Sequence, residues 1–174
     1  MKNLNYIYDN IEFVESKIPI PYNQALELME HRVTLVKNNK ENEMVWFLEH
    51  PSIYTSGSGN FIKENSINNI PVYNTGRGGK ITWHGPGQRI IYFIINIKKR
   101  KINIRKFVND TEKLVIKSLF KFNINAYKKE KIIGIWTKDK NRNDAKISSL
   151  GFRVTRGIIY HGVSININCD LSNF

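Results

Sequence analysis

The sequence has a single cysteine, Cys169, among its 174 residues. No intrachain disulfide can form, which fits a reducing compartment. No stretch approaches the run of about 20 apolar residues that a membrane helix needs, so no membrane partner is expected. The N-terminal residues "MKNLNYIYDNIEF" lack both the apolar core of a secretory signal and the Arg/Ser-rich character of a transit peptide. A cytoplasmic location is therefore expected. Internal repeats and Pro- or Ser-rich linkers are missing too, and residues 1–174 read as one domain. Acidic residues are scarce: 15 stand against 27 Lys and Arg, for a net charge of +12 and a pI near 9.8. That balance favours acidic partners. A Lys-, Asn- and Ile-rich composition, as in AT-rich coding sequence, produces the same charge without a partner, and both readings stay open. Four histidines and one cysteine lie scattered without paired ligand spacing, so no metal is expected.

What is present has clear periodicity. Residues 21–36 set Tyr22, Ala25, Leu26, Met29, Val33 and Val36 on one helical face, with Pro21 suited to the first turn. "EMVWFLEHP" reads as a strand stopped by Pro51, "TSGSGN" as a loop and "IPVYNT" as a short strand. "RIIYFIINI", 89–97, is too continuously apolar for a surface strand and belongs at the centre of a sheet. "KKRK", 98–101, ends it on a charged surface. Residues 105–122 predict a second helix with Phe107, Val108, Thr111, Val115, Leu119 and Phe122 inward. "KIIGIWT" predicts a strand, 138–145 a hairpin tip, and 146–168 strands broken at Gly151 and Gly157. In the last of these Val163, Ile165 and Ile167 alternate with polar residues, a half-buried pattern. The sum is α+β: a mixed or antiparallel sheet with helices packed on it.

One stretch carries chemistry. "TGRGGKITWHGPGQ", 75–88, gathers five glycines, Arg77, Lys80 and His84 immediately before the central strand. Glycine lets backbone approach a ligand closely, and bare N–H groups can cradle a carbonyl or phosphate oxygen. Neither the Walker A spelling nor GxGxxG opening a helix is present. A glycine-rich hairpin around a buried histidine remains the plainer reading on chemistry alone.

The spelling is more specific than the chemistry. "RGGKITWHGPGQ" resembles the signature of the lipoyl (octanoyl) transferase family. "LEHPSIYTSG", "KISSLG" and "YHGVSININCDLSNF" resemble three further family blocks, in the expected order. The resemblance runs from about Tyr22 to Phe174. It implies the fold of the biotin/lipoate protein ligase catalytic domain, and no cofactor. A lipoate ligase is expected to carry HDxGN where this chain has "HGPGQ", which favours the transferase.

The implied reaction moves an octanoyl group from acyl carrier protein to a lysine on lipoyl domains of 2-oxoacid dehydrogenases and related proteins, through a cysteine thioester. By the same resemblance Lys146 lowers the thiol pKa. The acyl group would lie against Arg77, Gly78, Gly79, Lys80, Ile81, Thr82, Trp83 and His84. Ser149, Leu150 and Gly151 form a second wall, and Gly162, Val163 and Ser164 a third. His50 and His161 are site-like, with a structural role equally open, whereas His31 reads as plain surface. The family's nucleophile follows "DLxxF" in a PCG motif, a few residues past Phe174. Cys169 is not in that position. The expectation is a binding scaffold with its activating lysine, inactive over residues 1–174 alone, and monomeric.

Two other readings differ in kind. A non-catalytic carrier or lipoyl-domain binder would keep the pocket without chemistry. A nucleic-acid module could stack bases on Trp46, Trp83 and Trp136. Each tryptophan, however, sits in or beside an apolar strand, and no RNA- or DNA-binding motif accompanies them, so no nucleic-acid partner is expected.

Overall fold

The computed structural model describes residues 5–130 and 132–174. The described chain opens on a hairpin, β1 (Asn5–Tyr8) and β2 (Ile11–Glu15). Its turn, Asp9-Asn10, has φ of 50° and 59°, the left-handed pair that two-residue hairpin turns require and that Asp and Asn tolerate. The sequence-based expectation contains no element here.

Helix α1 (Tyr22–Lys37) buries Tyr22, Ala25, Met29, Val33 and Val36 as its period demands. Pro21 stands at the flanking cap position rather than inside the first turn. Then come β3 (Glu43–Leu48), β4 (Ile53–Ser56), β5 (Ser66–Ile67), β6 (Ile70–Asn74), β7 (Thr82–His84) and β8 (Gln88–Asn96). Helix α2 (Ile104–Phe120) starts at Asn103, whose side chain accepts from the Lys106 N–H at 2.8 Å. The chain closes with β9 (Tyr127–Lys129), β10 (Ile132–Lys138), β11 (Asp144–Thr155), β12 (Ile158–Asn166) and a 3-10 turn, Leu171–Asn173.

Eight strands form one sheet in the order β1-β2-β3-β8-β12-β11-β10-β9, with only β2–β3 parallel. Strand β8 lies inside it, as its apolar run requires. Ile90, Tyr92 and Ile94 pack with Ala25, Met29 and Val33 of α1. Ile91, Phe93 and Ile95 face the other way, where Phe107 of α2 packs. Each fully buried side chain of this kind stabilises the fold by about 1.5–3 kcal/mol. A second, small sheet, β5-β6-β4-β7, carries the glycine stretch. The architecture is the expected α+β, with one helix on each face of a mixed sheet.

Four local expectations need correction. Thr55 and Ser56 belong to β4 and not to a loop. Phe122 is 75% exposed, because α2 ends at Phe120 and the following turn carries it outward. Gly151 does not break a strand: β11 runs through it without interruption. Ile167 is 68% exposed, lying past the end of β12. Of "KKRK", Arg100 turns inward and binds Glu43 at 2.6 Å and Asp9 at 2.9 Å, tying the first hairpin to the end of β8.

Candidate active site

Residues 75–81 link β6 to β7 and are pinned on two sides. Thr75 N–H donates to Ser56 O at 2.7 Å, and Gly78 N–H donates to Phe152 O of β11 at 2.9 Å. Gly151 pairs with Gly162 across β11 and β12. A Cβ at Gly151 would sit 2.9 Å from Gly78 O and 3.1 Å from Arg77 Cδ; one at Gly162 would sit 1.8 Å from Ile91 O. Three glycine-bearing segments thus meet because nothing larger than hydrogen fits between them. Ser149 pairs with Ser164 and Leu150 with Val163 beside them. Leu150 and Val163 also pack into the core under α2.

Arg77 is buried, and no carboxylate pairs with it among the described residues. Its guanidinium donates instead to oxygens: Thr55 O at 2.6 Å, Thr55 Oγ1 at 2.8 Å, and Gly78 O and Lys80 O at 2.9 Å each. Burial pulls its pKa below the ordinary value. Because arginine only donates, it fixes the donor-to-acceptor direction of the hydrogen bonds beyond it. The Thr55 hydroxyl accepts from Arg77 and so donates to His84 Nε2, at 3.0 Å. His84 Nδ1–H donates to Gln88 Oε1 at 2.6 Å. Gln88 Nε2 donates to Asn166 Oδ1 at 2.8 Å, and Asn166 Nδ2 to the Lys146 carbonyl at 3.4 Å. This one-way relay fixes the His84 tautomer and occupies both of its nitrogens. Burial first, then nearby His50, pushes the His84 pKa down to about 3.

A second chain of rings faces the first. His50 Nδ1–H donates to Ile20 O at 2.6 Å, and the Tyr92 hydroxyl donates to His50 Nε2 at 2.7 Å. Burial lowers the His50 pKa to about 4. Tyr22 lies edge-on to His50 at 5.4 Å, His50 edge-on to His84 at 6.0 Å, and Tyr92 edge-on to His161 at 6.1 Å. His161 stacks on Tyr160 at 4.7 Å, and Arg153 lies over Tyr160. A Cβ at Gly76 would strike the Arg153 guanidinium, which brings the circuit back to Arg77.

His161 is the anomaly in this circuit. Its φ is +62°, unusual for a non-glycine residue inside a strand. Regular alternation would send Tyr160 and His161 to opposite faces; the left-handed backbone lays them on the same one. The ring is 1% exposed, and neither nitrogen has a hydrogen-bond partner among the described residues. Each such group costs about 1–3 kcal/mol, and the backbone strain a similar amount. Burial, then Arg77 and Arg153, lowers the His161 pKa to about 3, so the ring is neutral.

Lys146 is set by its neighbours on β10. Gly134 has φ +127°, and a Cβ there would lie 2.9 Å from Lys146 Cε. The stem therefore runs across a bare backbone position, and the ammonium lies 5.1 Å from the Trp136 ring centre. Lys146 makes no ion pair among the described residues. Desolvation lowers its pKa. Lys129 shares the same ring at 4.1 Å and is held by Asp144 at 2.7 Å.

The remaining expected site residues divide. Thr82 and His84 share one face of β7, while Trp83 points to the other. Trp83 donates to Ser52 Oγ at 2.8 Å and meets Phe174 edge-on at 5.8 Å. Gly79 and Lys80 are exposed, and Ile81 is half-buried. Cys169 follows β12, half-buried. Burial, then the backbone N–H, Asp170 and Glu49, act on its thiol with a net upward shift. Thr55, Gln88 and Asn166 were not singled out in the sequence, although all three lie inside its motif blocks. Tyr22 gave only a helix-face signal.

A family model described as the lipoyl protein ligase A/B catalytic domain matches residues 21–174. An octanoyltransferase of Ehrlichia chaffeensis is 40% identical over 96% of this chain and 78% of its own length. One from Bradyrhizobium diazoefficiens is 37% identical over 94% of this chain and 67% of its own. Among solved structures, P. falciparum LipL1 in complex with lipoate superposes with a TM-score of 0.65 at 20% identity, covering 92% of this chain and 48% of that one. A lipoate-protein ligase A bound with ATP gives 0.64 at 14% identity, over 90% of this chain and 67% of that one. At such identities the structural likeness speaks for the fold.

Proposed function

This chain belongs to the lipoyl protein ligase A/B catalytic domain family, and from that premise we propose that it works as an octanoyltransferase of lipoate biosynthesis. The observation that carries this is identity of 37–40% across nearly the whole chain to octanoyltransferases. The donor is octanoyl-acyl carrier protein and the acceptor a lysine of a lipoyl domain. The thiolate of the family's PCG-motif cysteine, which residues 1–174 do not contain, attacks the donor's thioester carbon. The carbon–sulfur bond to the carrier breaks, and the carrier thiol takes up a proton. The acceptor amine then attacks the enzyme thioester, forming the amide and releasing the thiolate and a proton.

Lys146 favours the thiolate by its charge. Its ammonium has no carboxylate partner among the described residues, so that charge is not cancelled locally. The acyl group lies along Arg77–His84, Ser149–Gly151 and Gly162–Ser164. Cys169 is not the nucleophile on this reading, because it precedes the "DLSNF" segment that the family's cysteine follows. The protein acts as a monomer in the cytoplasm, and its positive charge docks acidic carrier and lipoyl domains.

The test is Lys146→Ala in the full-length protein. Thioester formation should collapse at neutral pH, where a free thiol is only a few per cent ionised, and return partly as pH rises. An unchanged rate at neutral pH would remove Lys146 from the mechanism.

A further inference from the structure

Resting on the octanoyl reading, we propose that the C-terminal half of α2 and the segment leading into β9 form the docking surface for the acyl donor, an acidic carrier domain that bears the octanoyl group as a thioester on a long pantetheine arm. Residues 113–129, "KLVIKSLFKFNINAYKK", hold five lysines and no Asp or Glu. Lys113, Lys117 and Lys121 recur every fourth residue and so line one stripe of the helix surface. All three are exposed, and none enters an ion pair among the described residues. Leu114, Phe120 and Phe122 flank the stripe, 57%, 67% and 75% exposed. A helix C-terminus favours a cation in its last turn. That accounts neither for Lys113, about two turns before the end, nor for two phenylalanines left in water. Lysines four apart on a helix repel one another, and an acidic partner relieves that repulsion while the apolar side chains give it contact area.

Position separates this patch from the other basic cluster. Tyr127 of β9 pairs with Trp136 of β10, and Trp136 with Lys146 of β11. Two strand spacings, about 10 Å, therefore separate Lys146 from the sheet edge that the α2–β9 segment leads into. Under α2, Leu119 packs in one cluster with Ile147 and Ile165, so the C-terminal end of the helix lies at the Lys146 end of the sheet. "KKRK" lies at the opposite end. Ser148 pairs with Ile165 and Ile165 with Arg89, whereas Ile158 pairs with Asn96, just before Lys98. Along β8 the two ends are on the order of 25 Å apart.

Reach decides which partner the patch fits. Ile135 points into the core under α2. Trp136, next along β10, points to the other face, and the Lys146 ammonium lies over its ring. A domain seated on α2 must therefore deliver its substrate around the edge of the sheet. A pantetheine arm spans that path, and the four-carbon side chain of an acceptor lysine does not.

The experiment is steady-state kinetics of the full-length protein with octanoyl-acyl carrier protein or S-octanoyl-pantetheine as donor and a lipoyl domain as acceptor. Lys117→Glu/Lys121→Glu should raise KM for the octanoyl carrier by roughly tenfold and flatten its salt dependence. KM for the lipoyl domain and turnover of S-octanoyl-pantetheine should stay near wild type. Lys99→Glu/Lys101→Glu, which carries the same net charge, should leave all of these values near wild type. Phe120→Ser/Phe122→Ser is read on the same KM if the first variant does not fold. A carrier KM kept at its wild-type value overturns the proposal. So does an equal rise in both charge reversals, which assigns the effect to net charge. A rise confined to the lipoyl domain also overturns it, by assigning the surface to the acceptor. Each of these leaves the octanoyl reading standing, whereas a wild type that takes octanoate from neither donor removes that reading and the docking proposal with it.

Discussion

Lowering the pH from 7 to 5 should destabilise this protein well before its carboxylates titrate. His50, His84 and His161 are all buried, with pKa values pushed down to about 4, 3 and 3, first by desolvation. Arg77 and Arg153 add to the effect at His161. In the unfolded chain each histidine titrates near 6.5. Below that pH the unfolded state takes up protons that the folded state refuses, so stability is full above about 6.5. It falls as pH drops toward the folded values. Well below 6.5 each histidine removes about 1.4 kcal/mol per pH unit. Between pH 7 and 5 that amounts to roughly 2 kcal/mol per histidine and about 6 kcal/mol for the three, against a typical total of about 5–15 kcal/mol. Urea melts at half-unit pH steps measure it directly. His50→Gln should remove about one third of the slope. A free energy of unfolding that stays level from pH 7 to 5 would refute the account of these histidines as buried and neutral, and so would a slope that persists when all three are replaced.

Gly162→Ala should be severely destabilising, by several kcal/mol, because its Cβ would lie 1.8 Å from the Ile91 carbonyl in the centre of the sheet; a melting temperature within a degree of wild type would contradict that geometry. Gly134→Ala should displace the Lys146 stem and slow acyl transfer with little change in KM for the carrier, checked by steady-state kinetics; a normal kcat would show that the stem needs no bare backbone. Cys169→Ser in the full-length protein should keep its octanoyl transfer activity, and a loss of the octanoyl adduct on intact mass would make Cys169 the nucleophile. Affinity for carrier and lipoyl domains should fall as ionic strength rises, whereas salt-independent affinity would assign the +12 charge to composition alone.

Legibility in the sequence followed the range of the interaction. Helices α1 and α2 and strand β8 could be read because their periods are local and their apolar faces long. The "GRGG" and "HGPG" glycines pointed to backbone close to a ligand; the close approaches at Gly151 and Gly162 are to neighbouring segments of the chain itself. What a lone glycine means was less readable: Gly151 looked like a break and is a contact point inside a continuous strand. The Arg77–Thr55–His84–Gln88–Asn166 relay has separations of 22, 29, 4 and 78 residues along the chain. No local pattern encodes such a path. His161 is the extreme case, since a left-handed backbone at histidine carries no compositional signal of the kind glycine gives. The first hairpin could have been found from Asp9-Asn10 between its two short apolar runs, which is a turn signal of known type.

The central claim is transfer of an octanoyl group without ATP. The direct measurement is intact mass of a lipoyl domain after incubation with the full-length protein and octanoyl-acyl carrier protein, with no nucleotide present. The account predicts a gain of one octanoyl group on the domain's lysine, lost in Lys146→Ala at neutral pH. No gain under these conditions, with modification appearing only when free octanoate and ATP are supplied, would contradict it and make the protein a ligase.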